Sequence, residues 1–303
     1  MHIRVTKNVE EANLITHNGT FHADEVLATA ILCKVVKNPV VCRIPKVPEN
    51  LDNEVIVYDI GLGEFDHHQK NGNGVRENGI PYASCGLIWK KFGNEILRKY
   101  TDKADFVQFL IDRDFIQGID AIDSGEVPKA KSYVNIFSFS QCISTFNPTW
   151  DSDESADKAF VKAVKFADIV LENILKNTVS KAKATGIIEE AIENSEDHIL
   201  VLDKYVSWKS VIPFSENEKA KDIWFVVYPS NRGEGYNWQC VPDKKSSSGQ
   251  RKSVPFRWRG LTAEELRRVT GIKTATFCHY AGFIGGAETL EDTIEFVKLA
   301  IES

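Results

Sequence analysis

Apolar positions along the first third of the chain alternate between two spacings. Residues 13–16 form a short apolar run that ends in the polar loop 17–21, and from 24 to 36 apolar side chains return at helical spacing, which predicts strand, loop and helix in turn. Residues 40–44 and 54–59 are short, β-branched and almost continuously apolar, as strands buried on both faces are. Helices are predicted at 83–95 and 104–117. Strands alternating with helices imply an α/β domain with a mainly parallel sheet.

From 153 to about 194 there is no proline, and Phe160, Val164, Ala167, Leu171 and Leu175 recur at spacings of three and four, predicting one or two long helices. Beyond them, strands are predicted at 198–203, 223–228, 237–241 and 274–279, with helices at 263–269 and 290–301. The tract KKSSSGQ, 244–250, reads as a mobile loop. The chain is thus divided into a first α/β domain, 1–150, a helical connector, 151–195, and a smaller α/β domain, 196–303.

At 303 residues, two cores are the natural expectation. A net charge of −6 argues against non-specific coating of duplex DNA, yet residues 244–273 hold nine Lys or Arg against two Glu, a local +7 on a body of −13. No stretch approaches the roughly 18 apolar residues of a membrane helix, and the polar start at 1–11 is unlike a signal peptide, so a cytoplasmic protein without membrane partners is expected. The six cysteines form no CxxC pair and read as reduced core residues.

The chemistry concentrates early: five of the seven histidines fall within the first 68 residues. His17, His22-Ala-Asp24, Asp59 and Asp66-His67-His68 each follow a predicted strand, and in an open α/β sheet the residues just past the strands share one crevice. Imidazoles with carboxylates and no thiolate suit Mn²⁺ or Mg²⁺ better than structural zinc. Three carboxylates and four imidazoles exceed the needs of one ion, whereas two ions roughly 3.5–4 Å apart would use most of them, and such a pair suits in-line attack of water at phosphorus.

Five blocks, THNGTFHADEVLATAIL, VYDIGLGEFDHHQ, YASCGLIW, IDAIDSGE and HYAGFIGGAETLE, resemble the melanocyte-proliferating-gene family, a branch of the DHH phosphoesterases, nearly end to end. The resemblance implies a DHH-type catalytic domain at 1–150, a substrate-binding domain at 196–303 and a manganese pair. It also implies 3′-to-5′ exonuclease activity on RNA or short single-stranded oligonucleotides. Carried over by motif, His17, His22 and Asp24 resemble the first motif, with His22 where the superfamily usually has Asp. Asp59 resembles the carboxylate that bridges the ions. One of His67 and His68 is then a ligand and the other touches substrate, placed to protonate the leaving oxygen, while Asp66 orients one of those imidazoles. Asp120 or Asp123 supplies a further carboxylate.

In the distal domain, His279 and the Gly285-Gly286 pair are expected to clamp a phosphate or base, the glycines forming a turn before a helix. Arg257 and Arg259, interleaved with Phe256 and Trp258 and preceded by Tyr236 and Trp238, suggest a single-strand track with stacking rings. The competing readings are a hydrolase of small phosphoanhydrides or cyclic dinucleotides and a non-catalytic metal or nucleotide sensor. A homo-oligomer is compatible with either.

Overall fold

A computed structural model describes residues 2–126, 136–243, 245–246 and 249–303. It contains two compact units, Met1–Val179 and Ser180–Ser303. Three residues of the expected mobile loop, Lys244, Ser247 and Ser248, lie outside the described residues; near them, Gln250 bridges to Pro242.

The first unit is built on four strands, β1 (Arg4–Thr6), β2 (Leu14–His17), β3 (Val40–Ile44) and β4 (Ile56–Val57), all parallel in the order β1-β3-β2-β4. Around them stand α1 (Ala23–Leu32), α2 (Ser84–Leu97), α3 (Ala104–Ile111), α4 (Gln117–Asp123), α5 (Phe139–Ser144) and the start of α6 (Ala156–Glu193). Leu14, Ile15 and Thr16 of β2 are buried, and so is α1 along its whole length, including its polar residues Asp24, Glu25 and Thr29. The chain leaves β2 towards β3 on one side and returns to β4 on the other. That reversal opens a crevice at the carboxyl ends of β2 and β4.

The apolar stripe on α6 is the one its spacing predicts, with Phe160, Val164, Ala167, Leu171 and Leu175 all buried. Three cations hold the helix to the unit: Lys34 bonds Asp168 at 2.7 Å and Glu172 at 2.5 Å, Lys7 bonds Asp157 at 2.5 Å, and the buried Arg43 guanidinium bonds Asp157 at 3.2 Å while lying 4.5 Å over the Phe160 ring. Of the expected one or two long helices, the structure has one, Ala156–Glu193. The predicted helix 104–117 is instead α3, a π-helical turn at Asp112–Ile116, and α4.

The second unit pairs β5 (Ile199–Val201), β6 (Phe225–Pro229), β7 (Tyr236–Cys240), β8 (Ala275–Cys278) and β9 (Ile284–Ala287) in the order β5-β6-β7-β9-β8. Only β5 and β6 run parallel, so this sheet is mixed. Its helices are α7 (Glu218–Asp222), α8 (Ala263–Thr270) and α9 (Leu290–Ile301). Alternation along β6 sorts the core: Phe225 and Val227 join Phe296, Val297 and Leu266 on one face, while Val226 and Tyr228 join Ile188, Ile192 and Trp208 on the other.

Gly285 and Gly286 correct the expected turn. They lie inside β9, flanked by β7 and β8 on its two edges, at positions with no room for a side chain. A Cβ at Gly285 would stand 2.4 Å from Trp238 Cζ2, and one at Gly286 2.6 Å from the Tyr236 carbonyl oxygen. Gly285→Ala is expected to destabilise the protein by roughly 1–3 kcal/mol through overpacking. Urea unfolding checks this, and an unchanged midpoint would mean that the Trp238 ring can move aside.

Candidate metal centre

The carboxyl ends of β2 and β4 deliver His17 and Asp59 to the crevice, a cavity of about 600 Å³ also lined by His22, Asp66, His68, Asp123, Ser140 and Ser144. Asp59 sits at the middle of the group. Its backbone adopts φ +56°, an uncommon conformation for a residue other than glycine, and its carboxylate is buried. The two oxygens look in different directions: Oδ2 lies 3.3 Å from His17 Nε2, and Oδ1 lies 3.5 Å from His67 Nδ1 and 3.6 Å from His68 Nδ1.

Around the first oxygen, His17 Nδ1 is held by the Asn18 carbonyl at 2.9 Å and Nε2 meets Glu25 Oε1 at 2.9 Å. Burial disfavours a charged imidazole here, but hydrogen bonds to Asp59 and Glu25 more than offset it and raise the His17 pKa to about 11. His22 is exposed at the start of α1, its ring 6.0 Å from that of His17.

Around the second oxygen, His67 Nε2 contacts Asp123 Oδ2 at 3.0 Å, and Asp24 Oδ2 lies 3.8 Å from His67 Nδ1. Asp24 is fully buried and caps a different helix from its own, accepting the α2 amides of Ser84 at 2.9 Å and Cys85 at 2.6 Å. Those bonds favour the carboxylate. Burial, with Asp59, Asp123 and Asp120 nearby, outweighs them and pushes its pKa well up. So much buried negative charge calls for a cation, and the clusters His17-His22-Glu25, Asp24-His67-Asp123 and Asp59-Asp66-His67-His68 each bring possible ligand atoms within 4.8 Å of one another. Hard oxygen and imidazole donors in that mixture fit a pair of divalent ions.

Asp120 and Asp123, equivalent in the sequence, part company here. The π-helical turn before α4 brings Asp112 and Asp120 to one guanidinium: Arg76 forks onto Asp112 at 2.6 and 2.8 Å and bonds Asp120 at 2.7 Å. Asp120 also accepts the Gly86 amide at 3.1 Å, and burial raises its pKa to about 6 despite Arg76. Asp123 alone of the two lines the cavity. Asp66 braces His68, accepting its Nδ1–H at 2.8 Å and its amide at 3.0 Å, with Leu62 N–H on the other oxygen. Although burial opposes it, these bonds lower the Asp66 pKa, and His68 is left 58% exposed at the cavity wall. Glu25 escaped the sequence reading; the glutamate three residues after His22, the spacing of a helix capping box, was its signal.

In the second unit, Trp238 and Trp258 are core residues rather than stacking rings. Arg259 bonds the Val254 carbonyl at 2.8 Å and fills the space under Gly282, whereas Arg257 and Phe256 are exposed. His279 opens the turn between β8 and β9, its Nδ1 accepting the Ala281 amide at 3.1 Å. All six cysteines are free. Among the described residues no helix is long and apolar enough to cross a membrane.

A parallel α/β sheet whose switch point gathers histidines and carboxylates around one central aspartate defines an α/β protein with a candidate two-ion centre. The family model MYG1_exonuc, described as an uncharacterised protein family (UPF0160), matches residues 13–301, and the chain belongs to this family. It is 30% identical to the MYG1 exonuclease of Homo sapiens, with 94% of this chain and 85% of that protein covered. The MYG1 exonuclease of Rattus norvegicus is 31% identical over 94% of this chain and 84% of its own length, and the MYG1 protein C694.04c of Schizosaccharomyces pombe 29% identical over 95% and 97%. No solved structure matches.

Removing Arg76 would leave Asp120 buried without its cation, held only by the Cys85 thiol and the Gly86 amide. Arg76→Met is therefore expected to cost about 3–5 kcal/mol, and adding Asp120→Asn to recover part of it. Additive losses in urea melts of the single and double variants would show that the pair is uncoupled.

Proposed function

We propose that the chain is a metal-dependent phosphodiester hydrolase of the DHH phosphoesterase type, a 3′-to-5′ exonuclease acting in the cytoplasm on RNA or short single-stranded oligonucleotides. One observation carries the metal reading: the two oxygens of buried Asp59 face different imidazoles, His17 and His67, as a carboxylate shared by two ions would. Relatives named exonuclease support the substrate class.

In this reading His17, His22 and Asp59 hold one ion and Asp24, Asp59, His67 and Asp123 the other, with Mn²⁺ preferred and Mg²⁺ the alternative. Bound there, the pair would acidify a water and neutralise phosphoryl charge. Asp120 is assigned to the support of α2 with Arg76 instead of to an ion. Asp66, kept ionised, holds His68 through Nδ1–H, so Nε2 is free, and when it too is protonated its N–H can bond a phosphoryl oxygen or pass that proton to the leaving oxygen. The span 1–150 is then the catalytic domain, 151–195 its helical connector and 196–303 the substrate-binding domain. Within the latter, His279 and Arg257 are the groups offered to substrate; Arg259, Gly285 and Gly286 serve the packing around them.

Burial of Trp238 and Trp258 removes two of the rings that favoured a base-containing substrate, and so favours the second reading, a hydrolase of small phosphoanhydrides or cyclic dinucleotides. End-labelled RNA and DNA oligonucleotides, pyrophosphate and cyclic dinucleotides, incubated with Mn²⁺ and resolved by product length, separate the two. Activity is expected to vanish in excess EDTA and to return with Mn²⁺ more than with Mg²⁺. Asp59→Asn is expected to lower bound metal and turnover together, and a variant that keeps two ions per chain and wild-type turnover would rule out the shared ligand.

The pH dependence follows from His17. With a pKa of about 11 it carries a proton at neutral pH, and an ion on Nε2 has to displace that proton. Mn²⁺ affinity is therefore expected to rise between pH 6 and 8 by about tenfold per unit for each proton released. Calorimetry in buffers of different ionisation enthalpy counts those protons; none released would exclude His17 as a ligand.

A further inference from the structure

The His17 ring sets a single Nε2–H against two buried carboxylates. Nδ1 points at the Asn18 carbonyl, which accepts a hydrogen bond and cannot donate one. Nε2, the nitrogen left for other work, faces two carboxylate oxygens at once, Glu25 Oε1 at 2.9 Å and Asp59 Oδ2 at 3.3 Å. One Nε2–H thus stands between two buried carboxylates, and its proton occupies the place where a divalent ion would meet all three side chains.

Glu25 is unusual for a glutamate in the first turn of a helix. Its side chain has no solvent exposure, and besides His17 it holds the His22 amide, at 2.9 Å from Oε1 and 3.0 Å from Oε2. Arg43 is the nearby cation, but its Nη1 and Nη2 bond Asp157 and the Gly19 carbonyl, and its buried Nε–H makes no hydrogen bond to Glu25. A helix cap needs no such burial, since glutamates commonly close the first turn from the surface.

We propose that Glu25 is itself a ligand, completing with His17, His22 and Asp59 the site of the first ion. This rests on the two-ion reading above. The charge count supports it: two imidazoles and a half-share of Asp59 leave a divalent ion short of anionic ligands, and Glu25 supplies one. The donor atoms of His17, His22 and Glu25 already lie within 4.8 Å of one another. The same carboxylate that closes the first turn of α1 thereby ties the metal centre to the helix carrying Asp24, the ligand of the other ion.

Two measurements test it, neither of them dependent on turnover. In crystals of the wild-type chain soaked in Mn²⁺, anomalous scattering is expected to place an ion with Glu25 Oε1 among its ligands, at about 2.0–2.2 Å. An ion held by His17 and Asp59 with Glu25 beyond bonding distance overturns the proposal. Glu25→Gln keeps an oxygen for the His22 amide and is expected to retain one tightly bound Mn²⁺ and to weaken the other more than tenfold in equilibrium dialysis. Its paramagnetic resonance spectrum should change from that of a coupled pair to that of an isolated ion. Two ions bound with wild-type affinity by Glu25→Gln would also overturn it. A wild-type chain that binds no Mn²⁺ brings down the two-ion reading itself, an outcome distinct from either of these.

Discussion

The site depends on one buried carboxylate reaching from the first turn of α1 to the first turn of α2. Asp24 accepts the amides of Ser84 and Cys85, doing for α2 what its own flanking residue, Ala83, cannot do. That bond sets where Ser84 stands, and the Ser84 hydroxyl in turn donates to Asp59 at 3.1 Å and lies 3.3 Å from His67. Two helices and two strand-end loops are registered against each other through a single side chain. The electrostatic cost is plain in the raised pKa of Asp24, which burial and the neighbouring carboxylates oppose ionising. Folding energy from α1 and α2 packing holds together a group of anions that would otherwise separate.

Most of the architecture was legible because its signals were continuous. The parallel strands are apolar runs, α6 carries a regular stripe, and Leu290–Ile301 begins and ends as its spacing predicts. Elements without such signals were missed. β1 is Arg-Val-Thr at a sheet edge, and β9 is Ile-Gly-Gly-Ala, whose glycines argue against a strand until Trp238 is seen occupying the space their side chains would need. The expected turn at the glycines is a strand for that reason.

Within the site, grouping His17, His22, Asp24, Asp59 and the Asp66-His67-His68 run needed only the rule that strand ends converge. Seeing that Asp120 meets Arg76 while Asp123 lines the cavity needed two facts that no local pattern carries: a π-helical turn that shifts the phase of the helix, and an arginine distant in sequence. Trp258 and Trp238 show the opposite failure. Aromatic residues interleaved with arginines look alike whether the rings face solvent or core, and only the packing against Phe296 tells them apart.

The tripeptide Ser84-Cys85-Gly86 contains no expected metal ligand, yet almost every group it owns is committed. Ser84 gives its amide to Asp24 and its hydroxyl to Asp59; Cys85 gives its amide to Asp24 and its thiol to Asp120; Gly86 gives its amide to Asp120 and lies so close that a Cβ would sit 1.9 Å from that carboxylate. Such a stretch has almost no freedom to drift. It would behave as a mutational cold spot at the head of a helix whose exposed positions, such as Lys90 and Lys91, are open to change. A block like YASCGLIW can therefore mark a lineage as firmly as the ligands do, as the imprint of anions that must be held by amides rather than as chemistry of its own.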